Sequence, residues 1–396
     1  MSESVKHVTN AHCSDEWSAA APFGVEQAER VRAIHASLPS YEPTALKRLD
    51  GLASKLGIGA LYVKDESTRF GLNAFKGLGG IYCVGRLLAE RVGIPDEALT
   101  FERLQRSDVR EVARDMTLVT ATDGNHGRGV AWAARELGAS AVVYMPKGSS
   151  QERLGNIRAL GARAQITDLN YDDAVRLAAK NAQEHGWTVV QDTAWEGYEK
   201  VPTWIMQGYT TLALEAVEQL GADAPTHVFL QAGVGAMSGA LSAFFADRYR
   251  EGRPTVVIVE PNAADCVYRT AKANDGALHK VGGDLSTIMA GLSCGEPCPI
   301  GWEMLRRFAD HFVSVPDEIA EKGMRILANP MGGDASVVSG ESGAVTTGLV
   351  AELMENENLA GIRSSLGLGP DSRVLCISTE GNTDRESYRR IVHGER

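Results

Sequence analysis

The region 117–191 alternates short apolar segments with longer helix-compatible segments, and this alternation constrains the fold more than any other feature. Segments rich in β-branched or apolar side chains are predicted as strands at 117–121, 141–145, 163–166 and 188–191. Helices of about ten to fifteen residues are predicted between them, over 126–137, 151–160 and 171–183. This order is typical of βαβ units, in which parallel strands are joined by right-handed crossovers. The sequence therefore predicts an α/β fold built on a parallel sheet.

A second series of strands and helices flanks this region on both sides. Further strands are predicted at 60–66, 227–231, 255–260 and 373–378, and helices at 24–38, 43–56, 203–220, 240–249, 301–309, 317–327 and 343–355. We therefore expect two parallel-sheet α/β domains. The smaller comprises residues 81–194, and the larger combines residues 1–80 with residues 195–396. A ligand is expected between them, where such sites commonly form.

Charge and composition restrict the class of partner. The 396 residues carry a net charge of −11, which disfavours nucleic acid or an anionic membrane surface. No apolar run approaches the roughly 20 residues of a membrane span, and the N-terminus lacks the apolar core of a signal peptide. We therefore expect a cytoplasmic protein. The six cysteines are scattered, so no disulfide scaffold is predicted, and Cys294 and Cys298 lack the second ligand pair that a zinc site needs. A bond between two of Cys266, Cys294 and Cys298 is left open by the sequence.

Lys76 lies in an apolar, glycine-rich segment that joins a predicted strand to a predicted helix. Its neighbours include Phe75, Leu78 and the glycine pair at 79–80. Apolar surroundings disfavour the ammonium form and favour the neutral, nucleophilic amine. A single lysine in such a place is more often an exposed residue at a helix start. Two motifs downstream indicate a catalytic role instead.

The first motif, TDGNHGRG at 122–129, lies between a predicted strand and a predicted helix. Ligands of open α/β sheets bind beyond the carboxyl ends of strands. A helix N-terminus also offers N–H groups to an anion such as a substrate carboxylate. Thr122, Asp123 and Gly124 are therefore predicted to contact the substrate. The alternative is a turn without chemistry, capped by Asp123 or Asn125.

The second motif is the glycine-rich turn GVGAMSG at 233–239, after the predicted strand 227–231. Backbone N–H groups of such a turn can enclose a phosphate, and the residues concerned are Gly233, Val234, Gly235, Ala236 and Met237. Ser238 stands where a dinucleotide fingerprint needs a third glycine, and the Lys-Ser/Thr ending of a nucleotide P-loop is missing. A phosphate-bearing cofactor other than NAD or ATP fits better. Lys76, the 122–129 turn that contains Asn125 (the asparagine turn) and this glycine-rich turn together indicate pyridoxal phosphate, which forms a Schiff base with lysine.

The order of four motifs, NAFK, TDGNHG, GVGAM and STEGN, resembles the fold type II, or tryptophan-synthase-β-like, enzymes that use pyridoxal phosphate. Over most of its length the chain is similar to the diaminopropionate ammonia-lyase family within that group. The longest matching segments are 69–76, 122–129, 192–198 and 294–298. Threonine and serine dehydratases of the group usually carry Ser-Ala-Gly-Asn-His at the asparagine turn, whereas this chain has Thr-Asp-Gly-Asn-His. The difference disfavours a plain hydroxy-amino-acid dehydratase.

The resemblance implies which residues hold the cofactor. Lys76 would carry it as a Schiff base, and Asn125 would donate a hydrogen bond to its ring hydroxyl oxygen. The backbone of residues 233–237 would enclose its phosphate. Ser378, at the end of the last predicted strand, would face the pyridine nitrogen. A hydroxyl there makes a weaker electron sink than a carboxylate, which suits elimination more than transamination.

The same resemblance implies the substrate and the reaction. Asp123 would pair with the second ammonium group of 2,3-diaminopropionate and act as a base on the face opposite Lys76, so that either enantiomer can react. Asp192 is a second candidate catalytic carboxylate, with a cap on its turn as an equal alternative. The expected carbon–nitrogen lyase reaction is α,β-elimination through aminoacrylate to pyruvate and two molecules of ammonia. The resemblance also implies a homodimer whose only other partner is this small amino-acid substrate.

Three alternatives carry different signatures. A threonine/serine or hydroxyaspartate ammonia-lyase would not need Asp123. A regulatory protein that only binds pyridoxal phosphate would not need both Lys76 and Asn125 intact, and an NAD-dependent oxidoreductase would need a different glycine spacing. Nearby residues assigned to structural roles are His126, Trp195, Tyr198 and Glu260.

Overall fold

Two β-sheets organise the part of the chain that the computed structural model describes, residues 4–122 and 124–394. Their strands are β1 (Lys6–Thr9), β2 (Ala45–Arg48), β3 (Ala60–Asp65), β4 (Thr117–Ala121), β5 (Ser140–Met145), β6 (Arg163–Ile166), β7 (Thr188–Val189), β8 (His227–Gln231), β9 (Thr255–Pro261), β10 (His311–Val315) and β11 (Arg373–Ser378). Within these residues, seven strands form one sheet in the order β1-β10-β9-β8-β11-β3-β2, and four form the other in the order β6-β5-β4-β7. This architecture confirms the predicted α/β class with parallel sheets.

Helices connect most of these strands. They are α1 (Val25–Ala36), α2 (Asp50–Leu56), α3 (Gly77–Val92), α4 (Phe101–Leu104), α5 (Ser107–Arg114), α6 (Asn125–Leu137), α7 (Gln151–Arg158), α8 (Tyr171–His185), α9 (Lys200–Leu220), α10 (Ala236–Tyr249), α11 (Cys266–Ala273), α12 (Pro299–Phe308), α13 (Asp317–Ala328), α14 (Glu341–Glu355), α15 (Ala360–Leu366) and α16 (Arg385–His393). Among the described residues, none of these helices has the length and apolar character needed to cross a membrane.

The four-stranded sheet is built by the alternating region from which the fold is predicted. Its neighbouring strands are all parallel, and α6, α7 and α8 separate them along the chain. Both β4 and β5 are largely buried, which explains their continuous apolar sequence. The last strand is shorter than predicted, since β7 ends at Val189 and not at residue 191. Beyond it, the side chain of Gln191 bonds both backbone groups of Ala121.

The seven-stranded sheet departs from the prediction at its edges. Strands β10, β9, β8, β11 and β3 are parallel, whereas β1 and β2 pair antiparallel at the two ends. The helix predicted over 43–56 is wrong at its start, because 45–48 forms β2 and α2 begins only at Asp50. Pairing of β2 with the fully buried strand β3 overrides the local helix preference. Strand β10 is also missed, since a short buried run has no periodicity that separates strand from helix.

Two glycines set the distance between α3 and α6, the helices that follow Lys76 and the asparagine turn. A Cβ on Gly80 would lie 2.8 Å from the carbonyl oxygen of Gly129. A Cβ on Gly129 would lie 2.9 Å from the carbonyl carbon of Lys76. The backbones therefore touch, and this contact fixes the position of Lys76 relative to Asn125, the first residue of α6.

Replacement of Gly129 by alanine is expected to lower the free energy of unfolding by about 1–3 kcal/mol, the usual cost of overpacking a rigid contact. The added methyl group would meet the Lys76 backbone, which cannot rotate away. Chemical denaturation measures the effect. The matched control is Gly155→Ala in α7, where a Cβ meets nothing within 4 Å, and here the helix should be unchanged or stabilised by up to about 1 kcal/mol. Equal stability of the two variants would contradict the packing argument.

Candidate active site

A cleft lies where β8 and β11 end and where α6 and α10 begin, which is the usual position for ligands in parallel sheets. It brings together most residues predicted for the site, namely Lys76, Asn125, Asp192, Gly233, Val234, Gly235, Ala236 and Met237. The described predicted residues that do not line it are Thr122, Gly124 and Ser378. Asp123 lies outside the described residues. A larger polar groove adjoins the cleft at Tyr171 but is not lined by any of the predicted residues that the structure describes.

Lys76 and Asp192 form an ion pair in this cleft. The Lys76 side chain is 16% exposed and that of Asp192 is 5% exposed. The amine donates to Asp192 Oδ2, while Tyr171 Oη and Gln191 Nε2 each donate to Asp192 Oδ1 at 3.2 Å. The pair favours the charged amine, in contrast to the neutral amine expected from the apolar neighbours of Lys76 alone.

Positive potential keeps Asp192 ionised. Burial alone would raise the pKa of its carboxyl, but His126 and Lys76, together with the hydrogen bond from Tyr171, lower that pKa well below its usual value. The His126 ring lies with Nδ1 3.7 Å from Asp192 Oδ2 and with Nε2 2.9 Å from the carbonyl oxygen of Val190. Because burial lowers the pKa of this imidazole, the Lys76 ammonium is the main full charge that faces Asp192. His126 thus lines the cleft in addition to holding its turn.

Thr122 and Gly124 shape the turn that leads into α6. The Thr122 hydroxyl oxygen accepts the backbone N–H of Gly124 at 2.9 Å. Gly124 has a φ of +151°, and a Cβ there would lie 2.9 Å from Cδ of Arg153. Only glycine therefore fits, and the turn places Asn125 at the start of the helix. Direct contact of residues 122–124 with a substrate stays a prediction.

The glycine-rich turn leads into the start of α10, where free backbone N–H groups suit an anion. Gly235 precedes this helix with a φ of +86°. The first turn of a helix carries N–H groups without intrahelical acceptors, and these attract anions. A Cβ on Gly233 would lie 3.1 Å from the carbonyl oxygen of Gly291 and 3.2 Å from Sγ of Cys294. The turn is thus packed against the opposite wall of the cleft, and its shape suits a phosphate group.

The hydroxyl that reaches the cleft from the end of β11 belongs to Thr379. Ser378 is fully buried elsewhere, with its Oγ donating to Ser339 Oγ at 2.8 Å. Successive side chains of an extended chain point to opposite sides, so a step of one residue decides which hydroxyl faces the cleft. Thr379 Oγ1 accepts from Gln231 Nε2 at 2.9 Å, which leaves its own hydrogen for an acceptor. Gln231 Oε1 is buried without a hydrogen-bond partner.

These groups fit pyridoxal phosphate. A lysine amine can bind the aldehyde, the start of α10 can hold the phosphate, and the polar atoms of Thr379 and Gln231 can meet polar positions of the ring. Asn125 is nine-tenths buried, and its amide can donate to an oxygen. In the part of the chain that the structure describes, no cluster of three or more potential metal ligands occurs.

Several polar cleft residues escape the sequence analysis. Glu380 and Thr379 belong to the STEGN motif, so the motif itself carried a signal, although only its serine is assigned there. Tyr171 begins α8, and Gln231 ends β8. These residues reach the cleft because strand and helix ends that are distant in the sequence lie close together in the fold. The sequence alone does not show which ends do so.

Comparison with known proteins agrees with pyridoxal phosphate as the cofactor. Residues 38–380 match the profile of a family described as pyridoxal-phosphate dependent enzymes. The diaminopropionate ammonia-lyase of Escherichia coli K12 is 52% identical over 372 residues, which cover 93% of this chain and 92% of that protein. A crystal structure of the holo enzyme from Escherichia coli superposes with a TM-score of 0.92 at 49% identity, covering 100% of this chain and 98% of the other. A second, in complex with an aminoacrylate-PLP azomethine reaction intermediate, gives a TM-score of 0.91 at the same identity and coverage.

Proposed function

The chain belongs to the family of pyridoxal-phosphate dependent enzymes, and we propose that it eliminates ammonia from 2,3-diaminopropionate. The products are pyruvate and two molecules of ammonia, formed through aminoacrylate, so the enzyme is a carbon–nitrogen lyase. One structural observation carries the proposal: Lys76 and the 233–237 turn line one cleft, with an amine and an anion site where this chemistry needs them. The 52% identity to a diaminopropionate ammonia-lyase supports the substrate.

Four groups of the cleft are proposed to hold the cofactor. Lys76 binds its aldehyde carbon, the 233–237 backbone encloses its phosphate, and Asn125 donates to its ring oxygen. Thr379 takes the place expected for Ser378, because its hydroxyl faces the cleft. When bound, pyridoxal phosphate supplies a conjugated ring that withdraws electrons from the substrate α-carbon.

Lys76 and Asp192 are proposed to move the protons. Once it is a free amine, Lys76 Nζ would accept the proton from the substrate α-carbon. The Asp192 carboxylate stabilises this proton on Nζ by charge and hydrogen bonding. The β-ammonium group would first lose one proton to solvent. Lys76 would then deliver the α-proton to the resulting amine, which leaves as neutral ammonia with the electron pair of the broken carbon–nitrogen bond. Aminoacrylate is released and hydrolyses in water to pyruvate and the second ammonia.

The reaction is tested by measuring pyruvate release from D- and L-diaminopropionate, serine and threonine with the holoenzyme. We expect diaminopropionate to be the fastest substrate. A higher kcat/KM for serine or threonine would instead identify a hydroxy-amino-acid ammonia-lyase. Absence of pyruvate from every substrate, with the cofactor bound, would indicate a protein that only binds pyridoxal phosphate.

Asp123 is proposed to recognise the second ammonium group and to act as base for the enantiomer that Lys76 cannot reach. Replacement of Asp123 by alanine should therefore reduce kcat/KM for diaminopropionate about tenfold or more beyond any loss with serine, since only the diamino acid loses a charged partner. Pyruvate assays with both substrates give the ratio. The control is Asp115→Ala, which removes an exposed carboxylate and should leave the ratio unchanged. Equal losses with both substrates would contradict a role in specificity.

We also propose the larger organisation of the enzyme. Residues 81–194 act as the small domain, and residues 1–80 with 195–396 act as the large one. The family resemblance further favours a homodimer in the cytoplasm. Light scattering of the purified holoenzyme measures its mass, and a monomer at micromolar concentration would exclude the dimer.

A further inference from the structure

Glu380 stands where the Lys76 segment and the end of β11 meet. Its backbone forms an antiparallel bridge with Ala74. On either side, the Phe75 N–H donates to the Thr379 carbonyl oxygen and the Gly381 N–H donates to the Asn73 carbonyl oxygen, both at 3.0 Å. The backbone of Glu380 is thus fixed to the residues that directly precede Lys76.

The side chain of Glu380 reaches across the cleft to α6. The residue is 1% exposed, and its Oε2 accepts a hydrogen bond from Asn125 Nδ2. Thr383 Oγ1 donates to the same oxygen at 3.3 Å, and the Ser342 backbone N–H donates to Oε1 at 3.2 Å. These neutral donors hold the carboxylate in place, so that Glu380 connects the large sheet with the helix that carries Asn125.

A carboxylate in this position controls the orientation of the Asn125 amide. An ionised carboxylate only accepts hydrogen bonds, whereas an amide has one accepting and one donating end. Glu380 therefore forces the nitrogen of Asn125, rather than its oxygen, to its own side. One amide hydrogen is used by Glu380, and the second remains for another acceptor.

We propose that Glu380 is a positioning residue that presents the Asn125 amide to the ring oxygen of pyridoxal phosphate. The inference rests on the proposed function of the cleft, because the ring oxygen is the acceptor for the second amide hydrogen. The hydrogen bond to Glu380 fixes the plane of the amide, so that its second N–H keeps one direction. In this role Glu380 acts on the cofactor through Asn125.

Glu380 also accepts from the first turn of α14, so a plain helix-capping role predicts a different result. A cap would stabilise the fold whatever residue stands at position 125. A positioning residue loses its effect once the amide is gone. The two roles are therefore separated by measuring Glu380→Gln in the presence and in the absence of Asn125.

The experiment is a double-mutant cycle with the variants Glu380→Gln, Asn125→Ala and their combination. For each variant, pyridoxal phosphate is removed and titrated back, and its dissociation constant and the absorbance spectrum of the Lys76 Schiff base are recorded against pH. We expect Glu380→Gln to raise the dissociation constant about tenfold, the loss of one charge-assisted hydrogen bond. Its absorbance band should titrate at higher pH than in the wild type, since an Asn125 amide that is no longer held in one orientation donates less to the ring oxygen and leaves it more basic.

In the Asn125→Ala background, the same Glu380→Gln change should alter neither the dissociation constant nor the titration. Additive effects of the two substitutions, or a Glu380→Gln protein that matches the wild type, would overturn the proposal. The control is Glu341→Gln, which removes another buried carboxylate at the start of α14 that bonds Ser387 at 2.6 Å and does not line the cleft. It should retain the wild-type dissociation constant. These readouts need no substrate, so they remain decisive even if the wild type releases no pyruvate from diaminopropionate.

Discussion

Replacement of Lys76 by alanine is expected to lower kcat for pyruvate release from diaminopropionate by about 10³-fold or more, within the range for a positioned acid–base group. The amine both binds the cofactor and carries the proton, so its loss removes two functions at once. Within the described residues, no other lysine lines the cleft. Lys64 is buried nearby in sequence, but its amine is bound to Glu215 Oε2 and Gln219 Oε1 at 2.7 and 3.0 Å and cannot substitute.

Pyruvate release and the visible absorbance of the bound cofactor should be measured together for Lys76→Ala. We expect the Schiff-base band to disappear while the protein keeps the thermal midpoint of a folded enzyme. Lys180→Ala is the matched control, because its side chain is 70% exposed and makes only a 3.7 Å pair with Glu184. A Lys76→Ala protein with more than about a tenth of the wild-type rate would assign the chemistry to another amine.

The parts of this site that can be predicted from the sequence are those whose residues lie close together along the chain. Lys76 and the 233–237 turn stand out because each motif contains the glycines and small residues that its own function needs. The ion pair of Lys76 with Asp192 joins positions 116 residues apart. The sequence places Asp192 directly after a predicted strand, where a capping residue and a catalytic carboxylate look alike. The partner of an ionisable group is set by tertiary contacts, which local sequence does not contain.

Two smaller differences between the predicted and the observed structure also depend on tertiary contacts. The hydroxyl that lines the cleft belongs to Thr379 and not to Ser378, because the phase of an extended segment decides which side chain faces the cleft. The segment 45–48 pairs with β3 as an edge strand although its residues are compatible with a helix. In contrast, β4, β5 and α6 are predicted well. The two strands are buried on both faces of a parallel sheet and therefore have continuous apolar sequences, and α6 is the helix that connects them.

Replacement of Asp192 by asparagine is expected to lower kcat for diaminopropionate by about 10²–10³-fold. Asparagine keeps the shape and one accepting oxygen but removes the charge that holds a proton on Lys76 Nζ. In the wild type, the lowered pKa of Asp192 keeps this carboxylate ionised at neutral pH. Its contribution to stability is therefore present above the unfolded pKa of about 3.9, and it is lost as the pH falls through the lower folded pKa. The kcat defect should accordingly be constant between about pH 6 and 8.

A substrate with a different leaving group identifies the step at which Asp192 acts. Chloride leaves β-chloroalanine without needing a proton, whereas the β-nitrogen of diaminopropionate must leave as ammonia. If Asp192 acts by stabilising the proton that Lys76 takes from the α-carbon, Asp192→Asn should lose about 10²-fold or more in kcat with both substrates, because both share that step. Asp173→Asn, an exposed carboxylate in α8 paired with Arg176, should show wild-type rates with both. A loss confined to diaminopropionate would contradict this role and would instead place Asp192 in protonation of the leaving nitrogen, the step that only diaminopropionate needs.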